Sequence, residues 1–443
     1  MSFTPVMIRA SGARVLLNWP MLIWPSAPET GGLRRSVAGF LCAPFWPILL
    51  VNKTNKAGAD VTQPASVTDW RIKAQKRLPR MMFDYIDGGA YAETTLRRNV
   101  EAIERIALRQ RVLTDVSKIS LETELFGEKL AMPMLLAPVG MAGLYARRGE
   151  VQAARAAQQA GLPFCLSTVS ICSIEEVRAA VPEPLWFQLY MIKDRTYMEK
   201  LLARAKAAGS RVLVFTVDLP VPGARYRDVR SGLSGTLSLV DQARRAFNAA
   251  CHPYWLWDVM LRGGPPSFGN LVEAMPGAKG TNDFSRWIGK NFDPSVNWDD
   301  FAWVRERWDG PIIIKGVLDA EDARRAASVG ADGIIVSNHG GRQLDGVPAG
   351  IEALPPIVSA VGDKLTVLMD GGVRSGLDVL KALALGAKGV LIGRAWAYAL
   401  GGGGEAGVAA MLATMRRELE VAMMLTGCTD VRQAGEHLLV RDL

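Results

Sequence analysis

From residue 133 onward, hydrophobic and polar positions alternate in blocks: a short apolar run, a polar turn, then an amphipathic stretch, eight times over. The apolar runs are 133–138 (PMLLAP), 163–168 (PFCLST), 185–190 (LWFQLY) and 212–217 (VLVFTV), then 311–315 (PIIIK), 333–337 (GIIVS), 365–370 (LTVLMD) and 389–393 (GVLIG). Each is too short for a core helix and almost wholly apolar, the pattern of strands buried on both faces of a parallel sheet. Helical periodicity follows at 150–160, 174–180, 321–329 and 377–385. Eight such units predict an α/β protein with a (β/α)8 TIM barrel. An open doubly wound sheet would call for a Gly-x-Gly-x-x-Gly turn after its first strand, and none stands there.

One connection breaks the rhythm. Between the fourth strand and a helix beginning near Asn297 lies an insert over about 219–296, far longer than an ordinary loop. It mixes Trp255, Trp257 and Trp287 with Arg225, Arg227, Arg230, Arg244 and Arg245, a composition that suits either a lid or a membrane interface. The barrel domain with its insert is expected over 64–443. Residues 1–63 differ: Arg9, Arg14, Arg34 and Arg35 have few acids beside them, and the apolar run 39–51 is interrupted by Pro44 and Pro47. That run is too short to span a bilayer, so the segment reads as a targeting-like peptide, an unstructured extension or the product of an upstream start.

Composition narrows the function. The formal charge of +8 is not gathered into a Lys/Arg block, which points to anionic substrates or a membrane surface and away from nucleic acid. Five scattered cysteines without a Cys-x-x-Cys pair argue against a disulfide framework or a zinc site. With three histidines (His252, His339, His437) and no Cys-x-x-Cys-His, a haem domain is not expected, so any electrons collected must leave to a separate acceptor.

In a TIM barrel the C-terminal strand ends build the active site. Here they supply Gln188 and Tyr190, Thr216 and Asp218, Lys315, then Ser337, His339 and Arg342, Asp370 and Arg374, and Gly393 and Arg394. So many polar groups at one end would be costly to bury without a ligand. Gly371 and Gly372 before Arg374, and Gly393 before Arg394, each open a helix, which fits a phosphate cradle for FMN or for a sugar phosphate. His339, followed by two glycines and three residues before Arg342, suits proton abstraction, with Asp218 as partner for the imidazolium. Lys315 could hold negative charge on a reduced flavin, and the forked donors of Arg225 and Arg342 match a carboxylate.

The segments SNHGGRQLDG (337–346), DGGVRSGLDVLKALALGA (370–387) and VLIGRA (390–395) resemble the FMN-dependent 2-hydroxy-acid dehydrogenase and oxidase family. LPRMMFDYIDGGAYAETTLRRN (78–99), APVGMAGLYARRGE, WFQLY, FTVDLPVPGARYRD and NFDPS extend the likeness over about residues 65–430. The resemblance implies His339 as base and Tyr85, Tyr190, Arg225 and Arg342 as substrate ligands. It implies FMN held by Ser167, Gln188, Thr216, Lys315, Asp370, Gly371, Gly372, Arg374, Gly393 and Arg394. Within the family the likeness is strongest to the bacterial respiratory branch: peripheral flavoproteins on the cytoplasmic face of the inner membrane that oxidise L-lactate and pass electrons to quinone or another respiratory carrier. A homo-oligomer is expected. Gly140, where many oxidases carry alanine, leans toward a dehydrogenase; a mandelate-type dehydrogenase and an oxygen-using oxidase are the alternatives within the family, and a non-redox phosphate-binding barrel is the alternative outside it.

Overall fold

The described residues form ten strands: β1 Thr123–Leu125, β2 Glu128–Leu130, β3 Met134–Leu136, β4 Cys165–Ser167, β5 Trp186–Leu189, β6 Leu213–Thr216, β7 Ile312–Val317, β8 Gly333–Val336, β9 Thr366–Asp370 and β10 Gly389–Ile392. They come from a computed structural model that describes residues 62–235, 238–263, 267–275 and 287–440. The expected extension falls, but for its last two residues, outside the described residues, as do parts of the insert.

Strands β3 to β10 coincide with the eight apolar runs. From β4 to β10 each pairs in parallel with the next, and β10 pairs in parallel with β3. A parallel bridge from Leu136 to Phe164, with Leu136 N donating to Pro163 O at 3.1 Å, joins β3 to the start of β4 and closes the ring. Strand side chains alternate between two environments, as a period of two requires. Leu135, Cys165, Val214, Ile313, Ile335, Leu368 and Leu391 fill the barrel interior. Their neighbours Leu136, Leu166, Leu213, Ile314, Ile334 and Val367 pack outward against the helices. Burying a side chain of this size stabilises the fold by roughly 1.5–3 kcal/mol.

The four helical stretches become helices Gly149–Gln159, Ile174–Ala179, Ala320–Ser328 and Gly376–Ala384. Ser173, Asp319 and Ser375 start the last three, each side chain accepting a backbone N–H of the first turn.

The barrel's N-terminal end is stoppered by the β1–β2 hairpin. Its turn, Phe126-Gly127, has positive φ at both residues (51° and 79°), the geometry of a tight two-residue hairpin. Leu125 and Leu130 enter the interior cluster, Phe126 packs edge-on against Trp186 at 5.7 Å, and the Trp186 indole donates to Glu128. Added Cβ atoms at Gly333 and Gly389, the first residues of β8 and β10, would crowd Phe126 and Leu125.

Among the described residues three helices precede the barrel: α1 Val67–Arg77, α2 Arg80–Asp87 and α3 Thr94–Glu104. Asp87, at the end of α2, accepts from Arg71 of α1, from Arg227 of the insert and from Tyr398 of the C-terminal helix. This one carboxylate therefore ties three distant segments to the helix that carries Tyr85. The C-terminal helix Arg394–Thr426 bends at Gly404, and its glycines Gly401 to Gly403 lie against α1. A Cβ at Gly403 would stand 2.7 Å from the Trp70 ring.

Candidate active site

The polar strand ends gather at the barrel end opposite the hairpin, where Tyr190, Lys315, His339, Arg342, Asp370 and Arg374 line a cavity of about 440 Å³. After β8, His339, Gly340 and Gly341 take three successive left-handed conformations (φ 56°, 63° and 73°). That conformation costs a histidine energy and favours glycine. Glycine is needed at the next two positions for space as well, because a Cβ at Gly340 would meet Arg394 and one at Gly341 would meet the Leu96 amide, both at 2.6 Å.

His339 Nδ1 lies 2.9 Å from Asp218 Oδ1, and its backbone N–H donates to Ser337 Oγ. Burial lowers the His339 pKa from its ordinary value, partly opposed by the Asp218 charge. The lowered value favours the neutral imidazole, with Nδ1 engaged by the carboxylate and Nε2 left for the cavity. Burial of Asp218 would raise its pKa, yet the charges of His339 and Lys315 bring it below the ordinary value. Lys315 Nζ donates to Ser337 Oγ at 2.9 Å and pairs with Asp370 Oδ2 at 3.1 Å. Burial disfavours its charge, but Asp370 and Asp218 more than compensate and raise its pKa, so it stays an ammonium.

Arg225 and Arg342 reach the cavity from the insert and from the loop after β8. Arg342 is held through Nη1 by the carbonyls of Tyr85 and Gly88. Arg225 donates from Nε to the Arg342 carbonyl and from Nη2 to Gln343 Oε1. Both guanidinium groups lie over the Tyr85 ring, at 4.6 Å for Arg342 and 6.0 Å for Arg225. Tyr190 lines the same cavity, packed on Phe292 of the insert at 5.1 Å.

The glycine cradle is also present. Gly371 and Gly372 have φ of 90° and 88°, and a Cβ at Gly372 would fall 2.1 Å from the Asn99 carbonyl. They line the cavity with Arg374 and Gly393. The side chain of Arg394 does something other than the sequence suggested. Its Nε, Nη1 and Nη2 donate to the carbonyls of Ile86, Gly340 and Gly88, and burial pulls its pKa down to about 9. It braces the loop after β8 against α2, which leaves the backbone N–H groups at the Gly393–Arg394 helix start as the donors for an anion.

Ser167, Gln188 and Thr216 are buried at the same strand ends without lining the cavity; Ser167 is level with Gln188 across β4 and β5, and Thr216 with Lys315 across β6 and β7. Several buried polar atoms here lack a partner in the chain: Gln188 Nε2, Thr216 Oγ1, Asp218 Oδ2 and Asp370 Oδ1. Orphaned groups of this kind are what a ring system rich in N–H and C=O would satisfy. The sequence reading overlooked Tyr145, whose hydroxyl donates to Gly140 O at 2.9 Å, and Asp228, buried beside Arg225. Both line the cavity. The tyrosine sits in a quoted motif (GLYARRGE) that gave no hint of its direction, and the aspartate lies among charges that read as surface.

A barrel with this arrangement suits an enzyme that takes a phosphate-bearing cofactor and a small organic acid side by side. The chain belongs to the FMN-dependent dehydrogenase family, whose model matches residues 74–441. An L-lactate dehydrogenase of Caulobacter vibrioides is 60% identical over 375 residues, 85% of this chain and 97% of that protein. One from Pseudomonas aeruginosa is 57% identical over 376 residues, 85% and 98% respectively. Among solved structures, the monotopic membrane protein (S)-mandelate dehydrogenase is similar with a TM-score of 0.81 at 36% identity, covering 86% of this chain and 100% of that one. A mandelate oxidase is similar with a TM-score of 0.73 at 38% identity, over 86% and 99%.

Proposed function

We propose that this chain is an FMN-dependent L-lactate dehydrogenase that oxidises L-lactate to pyruvate and hands the electrons to a quinone or another respiratory carrier. The observation that carries the reading is the His339–Asp218 pair, set beside two guanidinium groups in one cavity with an anion cradle. Bound FMN supplies the two-electron acceptor. The unpartnered Gln188 and Thr216 atoms, Ser167, Lys315 and Asp370 would hold its ring, and Gly371, Gly372, Arg374 and the Gly393–Arg394 backbone its phosphate.

Arg342 and Arg225 hold the substrate carboxylate, and Tyr85 and Tyr190 fix the hydroxy-acid between them. His339 Nε2 takes the proton the substrate gives up, and Asp218 stabilises the imidazolium that results. The ammonium of Lys315 favours negative charge developing on the cofactor side. Lactate is favoured over mandelate by likeness: the relatives named for lactate are 57–60% identical, against 36–38% for the mandelate structures.

The insert supports a place at the membrane surface; the cytoplasmic face belongs to the proposal through the family resemblance alone. Its helix Leu239–Ala250 buries none of its residues, and Leu239 (83% exposed), Phe247 (72%) and Leu261 (71%) stand out with Tyr254 and Trp257 beside Arg244 and Arg262. Exposed apolar residues with aromatic and arginine neighbours are the composition of an interfacial anchor. Among the described residues no helix is long and apolar enough to cross a membrane. An anaerobic panel of L- and D-2-hydroxy acids, scored by bleaching of the flavin absorbance, tests the function. L-lactate should bleach fastest and D-lactate not at all; an unbleached flavin with L-lactate rejects the reading.

A further inference from the structure

Six cationic side chains line the central cavity: Arg225, Lys315, His339 (when protonated), Arg342, Arg374 and Arg394. Four of them are committed. Lys315 is paired with Asp370, His339 with Asp218, Arg394 is bonded to three carbonyls, and Arg374 stands next to the glycine cradle. Two guanidinium groups remain for the substrate, Arg225 and Arg342. Facing them is a carboxylate the reaction itself does not call for, Asp228, in the short helix Tyr226–Arg230 of the insert.

Asp228 is buried, and its Oδ2 lies 4.0 Å from Arg225 Nη1. Because Nε and Nη2 of Arg225 are already tied to Arg342 O and Gln343 Oε1, Nη1 is the nitrogen whose N–H groups are left for Asp228 and a ligand. Burial raises the Asp228 pKa, while the charges of Arg342 and Arg225 work against that rise. Among the described residues this carboxylate accepts no hydrogen bond from a turn or a cap, and its ion-pair partner is Arg225.

We propose that Asp228 sets substrate specificity by charge, restricting the cavity to 2-hydroxy acids that carry a single carboxylate. Two guanidinium charges and one carboxylate leave one net positive charge, which one substrate carboxylate neutralises. A second carboxylate on the substrate would be desolvated beside Asp228 with no cation to meet it. Without the Asp228 charge, Arg225 is free for that second carboxylate. The inference rests on the reading that Arg225 and Arg342 receive the substrate carboxylate.

The test compares kcat/KM for L-lactate and L-malate, with a soluble dye as acceptor, in flavin-loaded wild type, Asp228→Asn and Asp228→Glu. The lactate-to-malate ratio should fall at least tenfold in Asp228→Asn, mainly through a lower KM for malate, and stay near the wild-type value in Asp228→Glu. A ratio unmoved in Asp228→Asn, or moved equally in both variants, overturns the proposal. Should Asp228→Asn not retain flavin, inhibition of the wild type decides: propionate must bind at least tenfold more tightly than succinate, and equal binding overturns it. Arg342→Lys separates the two levels. An unchanged KM for L-lactate in that variant means the carboxylate reading has failed, whereas a raised KM with an unmoved ratio in Asp228→Asn means only the Asp228 assignment has.

Discussion

His339 Nδ1 and Asp218 Oδ1 are 2.9 Å apart although 121 positions separate them in the chain. The contact leaves Nε2 as the imidazole nitrogen that faces the cavity, and it favours the imidazolium that proton abstraction creates. Replacing His339 by alanine should leave yellow, flavin-loaded protein whose anaerobic reduction by L-lactate is slowed by about 10² to 10⁴, the usual worth of a positioned base. Stopped-flow absorbance at the flavin band measures it, and reduction at the wild-type rate would remove His339 from the mechanism.

The pH profile follows from the same pair. A base must be neutral to accept a proton, and burial holds the His339 pKa below its ordinary 6.5. Plotted against pH, kcat/KM should therefore be flat at 7 and decline only as pH falls through that lowered value. Asp218 is the group that raises the His339 pKa, so Asp218→Asn should cut kcat by roughly tenfold or more and shift the acid limb further down. A shift to higher pH contradicts the arrangement.

Asp87 is predicted to matter for stability rather than chemistry. Its carboxylate meets Arg71, Arg227 and Tyr398, and although burial opposes ionisation these partners hold its pKa far below the ordinary value. A carboxylate with a lowered folded-state pKa stabilises the fold above its unfolded value and loses that contribution as pH falls through the folded one. Asp87→Asn should cost about 2–3 kcal/mol at pH 7, the low side of a buried pair because the Arg71 side chain is 42% exposed. The deficit relative to wild type should hold from pH 7 down to about pH 4 and shrink only below the ordinary carboxylate value of 3.8, as read by denaturant melts at pH 7, pH 4 and pH 2.5.

Gly372→Ala tests the cradle. Its φ of 88° disfavours alanine, and the added carbon would meet the Asn99 carbonyl. Purified variant should carry less flavin than wild type at equal protein, measured by the ratio of absorbance at the flavin band to that at 280 nm. Full occupancy would show that the cradle does not need this close approach.

Phe247→Asp combined with Leu261→Asp places charge on the exposed face of the insert, away from the cavity. Sedimentation with phospholipid vesicles should drop several-fold while dye-linked lactate oxidation is retained. Vesicle binding equal to wild type would rule out this face as the anchor.

Much of this was legible in the residues. The eight barrel strands were, because parallel strands buried on both faces must be apolar throughout, and runs such as LWFQLY and GVLIG leave no other reading. The polar strand ends were legible for the complementary reason that Lys315, Asp370 and His339 follow directly on such runs. The β1–β2 hairpin was not, since strands of three residues carry no periodicity and its turn is Phe-Gly rather than Asn-Gly. Nor was the behaviour of Arg394: its position after β10 is plain, but whether a guanidinium meets a phosphate or three carbonyls depends on α2, some 300 residues earlier. Asp228 escaped notice because the string RYRD looks solvated until the insert folds back over the barrel.

The hairpin that stoppers the barrel also governs traffic. With Leu125, Phe126 and Leu130 filling one end, the cavity lies at the other, lined in part by Leu219, Arg225 and Phe292 of the insert, and among the described residues the acid and its oxidant meet the chain at that same end. An oxidant arriving there has to wait for the keto acid to depart, so the two half-reactions take turns. Initial rates measured while both the hydroxy acid and the acceptor are varied should accordingly give parallel double-reciprocal lines.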